Sequence, residues 1–289
     1  MVRALRILAT GLAAAALAGS PAAAAEPSPA GKPQRIMSLN ICTDLLLLQL
    51  VPKSRIASVT FMAPDAARAL FPGAAKGVPL NHGQVEDIVN GKPDLILEST
   101  FSAPLLARMA RRVGARVVDV KNANNFKDIR DIVHQVGEAV GEPERAAAVT
   151  ARMDAVLADL ANHPPPRRLR VVAWSGGSAV SGKGSLADAV ITAAGAENIA
   201  ARPGLAESSF GVEELLAARP DALLYGGATL GLPSLVSDEA QHRVVRQLYA
   251  GRRIAYSDAA HTCGLPQSAE SARDLRRALD ALPVRSAAR

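Results

Sequence analysis

The sequence predicts an α/β protein made of two lobes that one long helix connects. Three observations support this prediction. Short apolar strand patterns alternate with helical patterns over most of the chain, one segment recurs 127 residues further on, and an unbroken helical pattern lies between the two copies. A chain of 289 residues with 49% hydrophobic residues is also long enough for two domains with separate cores.

The repeat consists of VEDIVNGKPDLILE at residues 85–98 and VEELLAARPDALLY at residues 212–225, which align without a gap. Each copy predicts a short helix followed by a strand, because the proline between them ends the helix and favours an extended backbone before it. A chain that contains this unit twice is expected to contain two lobes of the same kind.

Apolar periodicity around the repeat completes both lobes. Runs rich in Val and Ile predict strands, and apolar residues at helical spacing predict the helices between them. The predicted strands outside the repeat are at 35–40, 55–60, 115–120, 168–174 and 253–258, and the predicted helices are at 42–51, 102–114, 126–141, 185–195, 241–251 and 268–279.

The longest helical pattern opens at Pro143, a residue tolerated in a first helical turn, and stops at three consecutive prolines. It spans about five turns, so it can connect two lobes as one continuous element. The predicted division is an N-terminal lobe at 26–142, a connecting helix at 143–163 and a C-terminal lobe at 164–289.

Residues 1–25 resemble a cleavable export signal. Arg3 and Arg6 precede an apolar run that is too short to span a membrane, and small residues at 23–25 form a cleavage site. Ser20 stands where a lipidated cysteine would be, so no acyl anchor is expected and the mature protein should be soluble and periplasmic. Loss of the signal lowers the net charge from +6 to about +4. The sequence contains no run of basic residues of the kind that binds nucleic acid, so nucleic-acid binding is not predicted.

The two cysteines, Cys42 and Cys263, leave three alternatives open. In an oxidising compartment they can form a disulfide, remain free thiols, or contact a ligand or metal together. Because His261 lies beside Cys263, a fourth hypothesis is an exported thiol or hydrolytic enzyme with Cys42 as nucleophile, His261 as base and Asp44 or Asp258 as the orienting group. The five histidines show no zinc-ligand spacing, so neither a protein metal site nor a resident cofactor is predicted.

Loops at the carboxyl ends of parallel strands form the crevice in which α/β proteins bind ligands. Here these loops mix small polar residues with single aromatic residues, which suits a sizeable and partly apolar ligand. The predicted ligand contacts are Asn40, Cys42, Phe61, Ser99, Phe101, Trp174, Phe210, His261 and Cys263.

Three features together resemble the class III periplasmic binding proteins, the receptors of ABC importers for ferric siderophores, haem and cobalamin. They are the duplicated E-x-I-x-x-x-x-P-D-L-I pattern, the connecting helix opened by Gly-Glu-Pro at 141–143, and SGKGSLADAVITAAGAENI at 181–199. The resemblance implies two Rossmann-like lobes around a ligand cleft, a stiff helical hinge, a monomer without enzymatic activity, and delivery of a metal chelate to a dimeric ABC permease.

In that family each lobe presents one acidic residue to the permease, and the match places these residues at Glu86 and Glu213. The ligand stays open between a ferric chelate and a corrinoid. The strand-end loops contain few basic residues of the kind that catecholate receptors gather. They also contain no tyrosine well placed for haem, although Tyr225 is close, and they hold several aromatic residues of the kind that cobalamin receptors use.

Overall fold

The structure is a computed structural model that describes residues 31–99, 104–174, 180–201, 210–226, 240–256 and 258–283. The chain divides into Met1–Gly31 and Lys32–Arg289, and the described helices and strands all belong to the second unit. The predicted export signal lies outside the described residues.

The first lobe is built on a parallel sheet of five strands in the order β3-β2-β1-β4-β5. The strands are β1 Ile36–Ser38, β2 Ile56–Thr60, β3 Leu80–Asn81, β4 Leu95–Ser99 and β5 Arg116–Val120. The helices are α1 Ile41–Leu50, α2 Ala63–Leu70, α3 Val85–Gly91, α4 Pro104–Arg112 and α5 Phe126–Val140, with a 3-10 turn at Lys53–Arg55.

The second lobe contains a parallel sheet of four strands in the order β7-β6-β8-β9. Its strands are β6 Arg170–Ala173, β7 Glu197–Asn198, β8 Ala222–Gly226 and β9 Arg253–Tyr256. The described helices are α7 Leu186–Ala193, α8 Val212–Ala218, α9 Arg243–Leu248, α10 Asp258–Thr262 and α11 Ser268–Asp280, with a 3-10 turn at Ile199–Ala201. The predicted α/β fold with parallel sheets is confirmed.

The connecting helix α6 spans Pro143–Asn162. At 1.5 Å per residue its 20 residues extend about 30 Å. The sheets precede and follow α6 in the sequence, whereas the exact lobe boundaries at 142 and 163 stay a prediction. The largest apolar core extends through both lobes and α6, with Val133 of α5, Met153 of α6 and Leu275 of α11 among its buried members.

The start of α6 is fixed by an ionic cluster. Glu142 accepts hydrogen bonds from Nζ of Lys32 at 3.1 Å and from Nη1 of Arg55 at 2.5 Å. Arg55 also donates to the carbonyl of Val140, the last residue of α5. The turn between α5 and α6 is therefore held by side chains that precede β1 and β2 in the sequence.

Helices α5 and α6 pack so closely that a methyl group at Gly137 would lie 2.3 Å from Cβ of Ala146. Alanine is normally a better helix former than glycine, but here the clash prevails because the opposing atom is a Cβ that cannot rotate away. We expect Gly137→Ala to lower the free energy of unfolding by about 2 kcal/mol in a denaturant titration. Adding Ala146→Gly should restore part of the loss, and a purely additive double variant would contradict the packing argument.

The repeated segment has the same structure in both lobes. Each copy forms a helix of seven residues, α3 or α8, and each helix ends on a left-handed residue, Lys92 with φ of 42° or Arg219 with φ of 46°. The expected extended backbone before the proline is wrong at these two positions. The left-handed residue is the helix cap, whose N–H donates to the carbonyl of Ile88 in α3 and of Leu215 in α8.

The aspartate of the Pro-Asp pair in each repeat connects the start of its own strand to the start of the neighbouring strand. Asp94 accepts hydrogen bonds from the backbone N–H groups of Gln34 and Arg35, at 2.6 and 3.0 Å. In the second lobe, Asp221 accepts from the N–H of Arg170 at 2.8 Å. The aspartate therefore secures the start of the central strand of each lobe and has a structural role.

None of the described helices is both long and apolar enough to cross a lipid bilayer.

Candidate functional site

Because all paired strands are parallel, their carboxyl ends meet at one edge of each sheet, and the predicted ligand contacts follow these ends. At the first lobe Asn40 caps α1, with Oδ1 accepting from the N–H of Cys42 at 2.8 Å. Its Nδ2 donates to Oγ of Ser99 at 3.2 Å. The structure thus brings Asn40 and Ser99 together and joins the ends of β1 and β4.

An aromatic stack stands exposed at the end of β2 and β3. The rings of Phe61 and His82 are 5.1 Å apart and inclined by 13°. Phe61 is 53% exposed, and the neighbouring Met62 is exposed as well. His82 was not among the predicted contacts, because β3 is only two residues long and too short to produce an apolar pattern.

Backbone hydrogen bonds hold this stack in place. The N–H of Phe61 donates to the carbonyl of Asn81 at 2.9 Å, which joins the two loops directly. Oδ2 of Asp87 accepts from the N–H groups of His82 and Gln84, both at 2.9 Å. We call the exposed surface formed by Phe61, Met62 and His82 the aromatic platform.

A buried carboxyl group lies beneath the platform. Asp44 of α1 accepts hydrogen bonds from the N–H of Thr60 at 3.1 Å and from its Oγ1 at 2.5 Å. Burial raises the pKa of Asp44 to about 6, although hydrogen bonds from Ser38 and Thr60 oppose the rise. Because Thr60 directly precedes Phe61, this carboxyl group positions the end of β2 that carries the platform.

Cys42 and Cys263 form a disulfide bond with their Cα atoms 4.9 Å apart. The sequence left open a disulfide, two free thiols or a shared contact with a ligand or metal, and the structure contains the disulfide. Neither sulfur is a free thiol, so the enzyme hypothesis that needs a Cys42 nucleophile has no support, and the Asp44 carboxylate that it would use is engaged with Thr60 instead. His261 is buried near the bridge, and burial lowers its pKa to about 4.

The two aromatic residues predicted in the second lobe lie in its core. Trp174 is 2% exposed and Phe210 is 3% exposed, and they pack in one apolar cluster. Nε1 of Trp174 donates to the carbonyl of Phe210 at 2.9 Å. Their rings are turned inward here, so a direct ligand contact by either one stays a prediction. Phe101 lies outside the described residues.

Among the described residues no group of three or more His, Cys, Asp or Glu side chains could hold a metal ion.

Comparison with known proteins identifies the family. The periplasmic binding protein family matches residues 71–252, which is more than half of the chain. This chain belongs to the periplasmic binding protein family. Its two parallel sheets, one before and one after a single long helix in the sequence, agree with class III, as its sequence features suggest. No curated protein sequence matches the chain at a significant level.

Solved structures share the fold of this periplasmic binding protein. The periplasmic heme-binding protein RhuT from Roseiflexus sp. RS-1 is 24% identical with a TM-score of 0.68, and the match covers 86% of this chain and 98% of that one. The periplasmic heme-binding protein HutB of Vibrio cholerae is 19% identical with a TM-score of 0.68, and the match covers 85% of this chain and 98% of that one. The periplasmic vitamin B12-binding protein BtuF of Vibrio cholerae is 17% identical with a TM-score of 0.63, and the match covers 86% of this chain and 97% of that one. At these identities the likeness concerns the fold.

Two carboxylates of the periplasmic binding protein occupy equivalent exposed positions. Glu86 and Glu213 are the second residues of α3 and α8, where the helix dipole favours negative charge. The next acidic residue caps each helix: Asp87 accepts from the N–H of Gln84, and Glu214 accepts from the N–H of Gly211 at 2.9 Å. Both Glu86 and Glu213 are exposed, and no ion pair engages either of them in the described part of the chain.

Proposed function

We propose that this periplasmic binding protein captures a metal chelate, either a ferric siderophore or a corrinoid, between its two lobes and delivers it to a dimeric ABC permease. No bond is made or broken in this process. Membership in the family supports the receptor role. The observation that carries the choice of ligand class is the aromatic platform, an exposed conjugated surface at the edge of the first lobe where α/β proteins bind ligands.

The platform matches the chemistry of such ligands. Corrinoids and aromatic siderophores present flat or apolar faces that pack on rings, and aromatic pairs contribute about 0.5–1.5 kcal/mol beyond the area they bury. The imidazole of His82 is also a metal ligand by type, which a chelate with an open axial position would engage. Similar folds named for heme and vitamin B12 support the same class of cargo.

A titration with three probes tests the proposal. Oxidised protein would be mixed with cyanocobalamin, with a ferric siderophore that carries an aromatic ring, or with hemin, while the fluorescence of Trp174 and the absorption of the probe are recorded. We expect saturable binding of one probe at one equivalent, with the probe recovered unchanged. Failure of all three to bind, binding of hemin alone, or chemical conversion of a bound probe would contradict the proposal.

Phe61→Leu should weaken binding of the probe identified in that titration about tenfold, because the ring contact is lost while an apolar side chain remains. The dissociation constant would be measured by the same fluorescence titration. Leu248→Ala is the matched control, because Leu248 is exposed to a similar extent, 51%, but lies on α9 of the other lobe. Equal affinities for Phe61→Leu and the control would exclude the platform as the binding surface.

The location and partner follow from the same proposal. Residues 1–25 would act as a cleavable export signal, the mature receptor would be a soluble periplasmic monomer without a lipid anchor, and Glu86 and Glu213 would contact the permease. Mass measurement of the protein secreted to the periplasm would test the cleavage directly, with a mature chain beginning near Glu26 as the expected result.

A further inference from the structure

The disulfide connects the two lobes through cysteines that are 221 residues apart in sequence. Cys42 is the second residue of α1, at the carboxyl end of the central strand of the first sheet. Cys263 directly follows α10, beyond the carboxyl end of β9 in the second lobe. The bond therefore lies at the edge where the strands of both lobes end, and it is a covalent connection in addition to α6.

The chain around Cys263 lies against the first lobe. We call residues 258–265, which comprise α10 and the three residues after it, the clasp. Helix α10 packs against α7 of its own lobe and also against α2 of the first lobe. Leu265, at the end of the clasp, is completely buried and belongs to the apolar core that both lobes share.

The two lobes also approach each other closely at Gly264. A Cβ atom at this position would lie 2.4 Å from Cβ of Ala123 and 3.5 Å from Cγ1 of Ile129, both in the first lobe. The backbone of Gly264 has φ of +61°, so the site needs glycine for its conformation as well as for the space. The clasp thus crosses the first lobe from α2 to the loop before α5.

Hydrogen bonds also fix the clasp to its own lobe. Ser268, at the start of α11, is fully buried. Its Oγ donates to the carbonyl of Ala260 at 2.5 Å and accepts from the N–H of Leu265 at 3.2 Å. The clasp cannot move toward the first lobe independently of α11, so a bond from Cys263 to Cys42 couples the lobes themselves.

Mechanics decides the consequence. A lobe attached through one helix can rotate about any axis through that helix, whereas a lobe attached at two separate points can rotate only about the line that joins them. We propose that the Cys42–Cys263 bond locks the clasp onto the first lobe, so that the lobes of the oxidised receptor can rotate only about the line through α6 and the bond. A dithiol would open the lock: it reduces the bond to two thiols, donates two electrons and two protons, and itself becomes a disulfide. This inference rests on the contacts between the lobes and is independent of the proposed ligand.

Hydrogen exchange measured by mass spectrometry tests the lock without a ligand. Three samples would be compared: the oxidised protein, the same protein treated with dithiothreitol, and the double variant Cys42→Ser with Cys263→Ser. We expect exchange in peptides from the clasp to accelerate at least about tenfold when the bond is absent. Peptides from β4, which takes part in none of the clasp contacts named above, should be unchanged, and reoxidation should restore the original rate in the wild-type protein.

Two results would overturn the proposal. Unchanged exchange in the clasp after reduction would show that noncovalent packing alone holds the lobes. Equal acceleration in the clasp and in β4 would show that the bond acts on global stability. The reduced wild-type sample keeps the test decisive if the serine variant does not fold.

Discussion

Replacing Glu86 and Glu213 together by glutamine is expected to abolish transport by the ABC importer while leaving ligand affinity in solution unchanged. The two carboxylates occupy the same position on α3 and α8, so they can contact two equivalent basic side chains on a dimeric permease. Losing one member of an interfacial charge pair costs about 2–5 kcal/mol, so two losses should lower transport more than about a hundredfold.

Transport would be measured in proteoliposomes that contain the permease, with the ligand affinity of each variant determined separately. Glutamine should not disturb either helix, because Asp87 and Glu214 provide the caps. Glu144→Gln with Glu270→Gln is the matched control, since these are also exposed glutamates in the first turns of helices, α6 and α11. Normal transport by the Glu86 and Glu213 variant would refute the docking proposal.

Asp44→Asn is expected to stabilise the protein at pH 7.5 by up to about 3 kcal/mol. Burial raises the pKa of this carboxyl group from 3.8 to about 6, and a difference of about 2 in pKa corresponds to about 3 kcal/mol. Since the folded state binds the proton more tightly, the carboxyl contributes most stability below pH 3.8 and loses that contribution as the pH rises through 6. Asparagine carries no charge, and its Oδ1 can still accept from the N–H of Thr60.

The stabilisation should therefore shrink as the pH falls and vanish near pH 4. Free energies of unfolding from urea titrations at pH 7.5, 6 and 4.5 would show this trend. Asp131→Asn serves as the control, because Asp131 is exposed on α5 and should change stability little at any of these pH values. A variant that is less stable than the wild type at pH 7.5 would mean that the hydrogen bonds to the charged carboxylate outweigh its burial.

The buried His261 changes the stability of the protein over the same range of pH, but in the opposite direction. Burial lowers its pKa from 6.5 to about 4, so stability is lost as the pH falls through this interval and the unfolded state binds the proton. As the pH falls from about 6 to 4, the wild type gains stability from the protonation of Asp44 and loses stability because of His261, so the two effects oppose each other. Asp44→Asn should consequently make the protein more sensitive to acid than the wild type, even though it is more stable at neutral pH.

Local patterns explain which parts of the fold could be predicted. The long helix and the strands of the repeat have apolar periods that span several turns or residues, so sequence alone identifies them. Strands β3 and β7 have two residues each, which is too short for any period. Helix α2 was not predicted either. The exposed position of His82 was missed together with β3, because the loop that carries His82 is placed by the pairing of β3 with β2.

The site depends on directions that sequence does not contain. Phe61 and Trp174 both follow a strand, yet one is 53% exposed and the other 2%, because Trp174 finds a hydrogen-bond acceptor and an apolar cluster inside its lobe. The cysteine pair posed the same difficulty. Whether residues 221 positions apart come within bonding distance is a property of the packed lobes, which no spacing in the chain reports.

The matching geometry of α3 and α8 has a consequence for the proposed docking of this receptor on a permease. A molecule that carries the same carboxylate on both lobes can be turned by half a turn on a partner with two-fold symmetry and still offer the same pair of charges. Encounters in either of two orientations would then be productive, which favours rapid association. The chelate would face one permease subunit or the other with equal frequency, so its release could not depend on a feature found in only one of them.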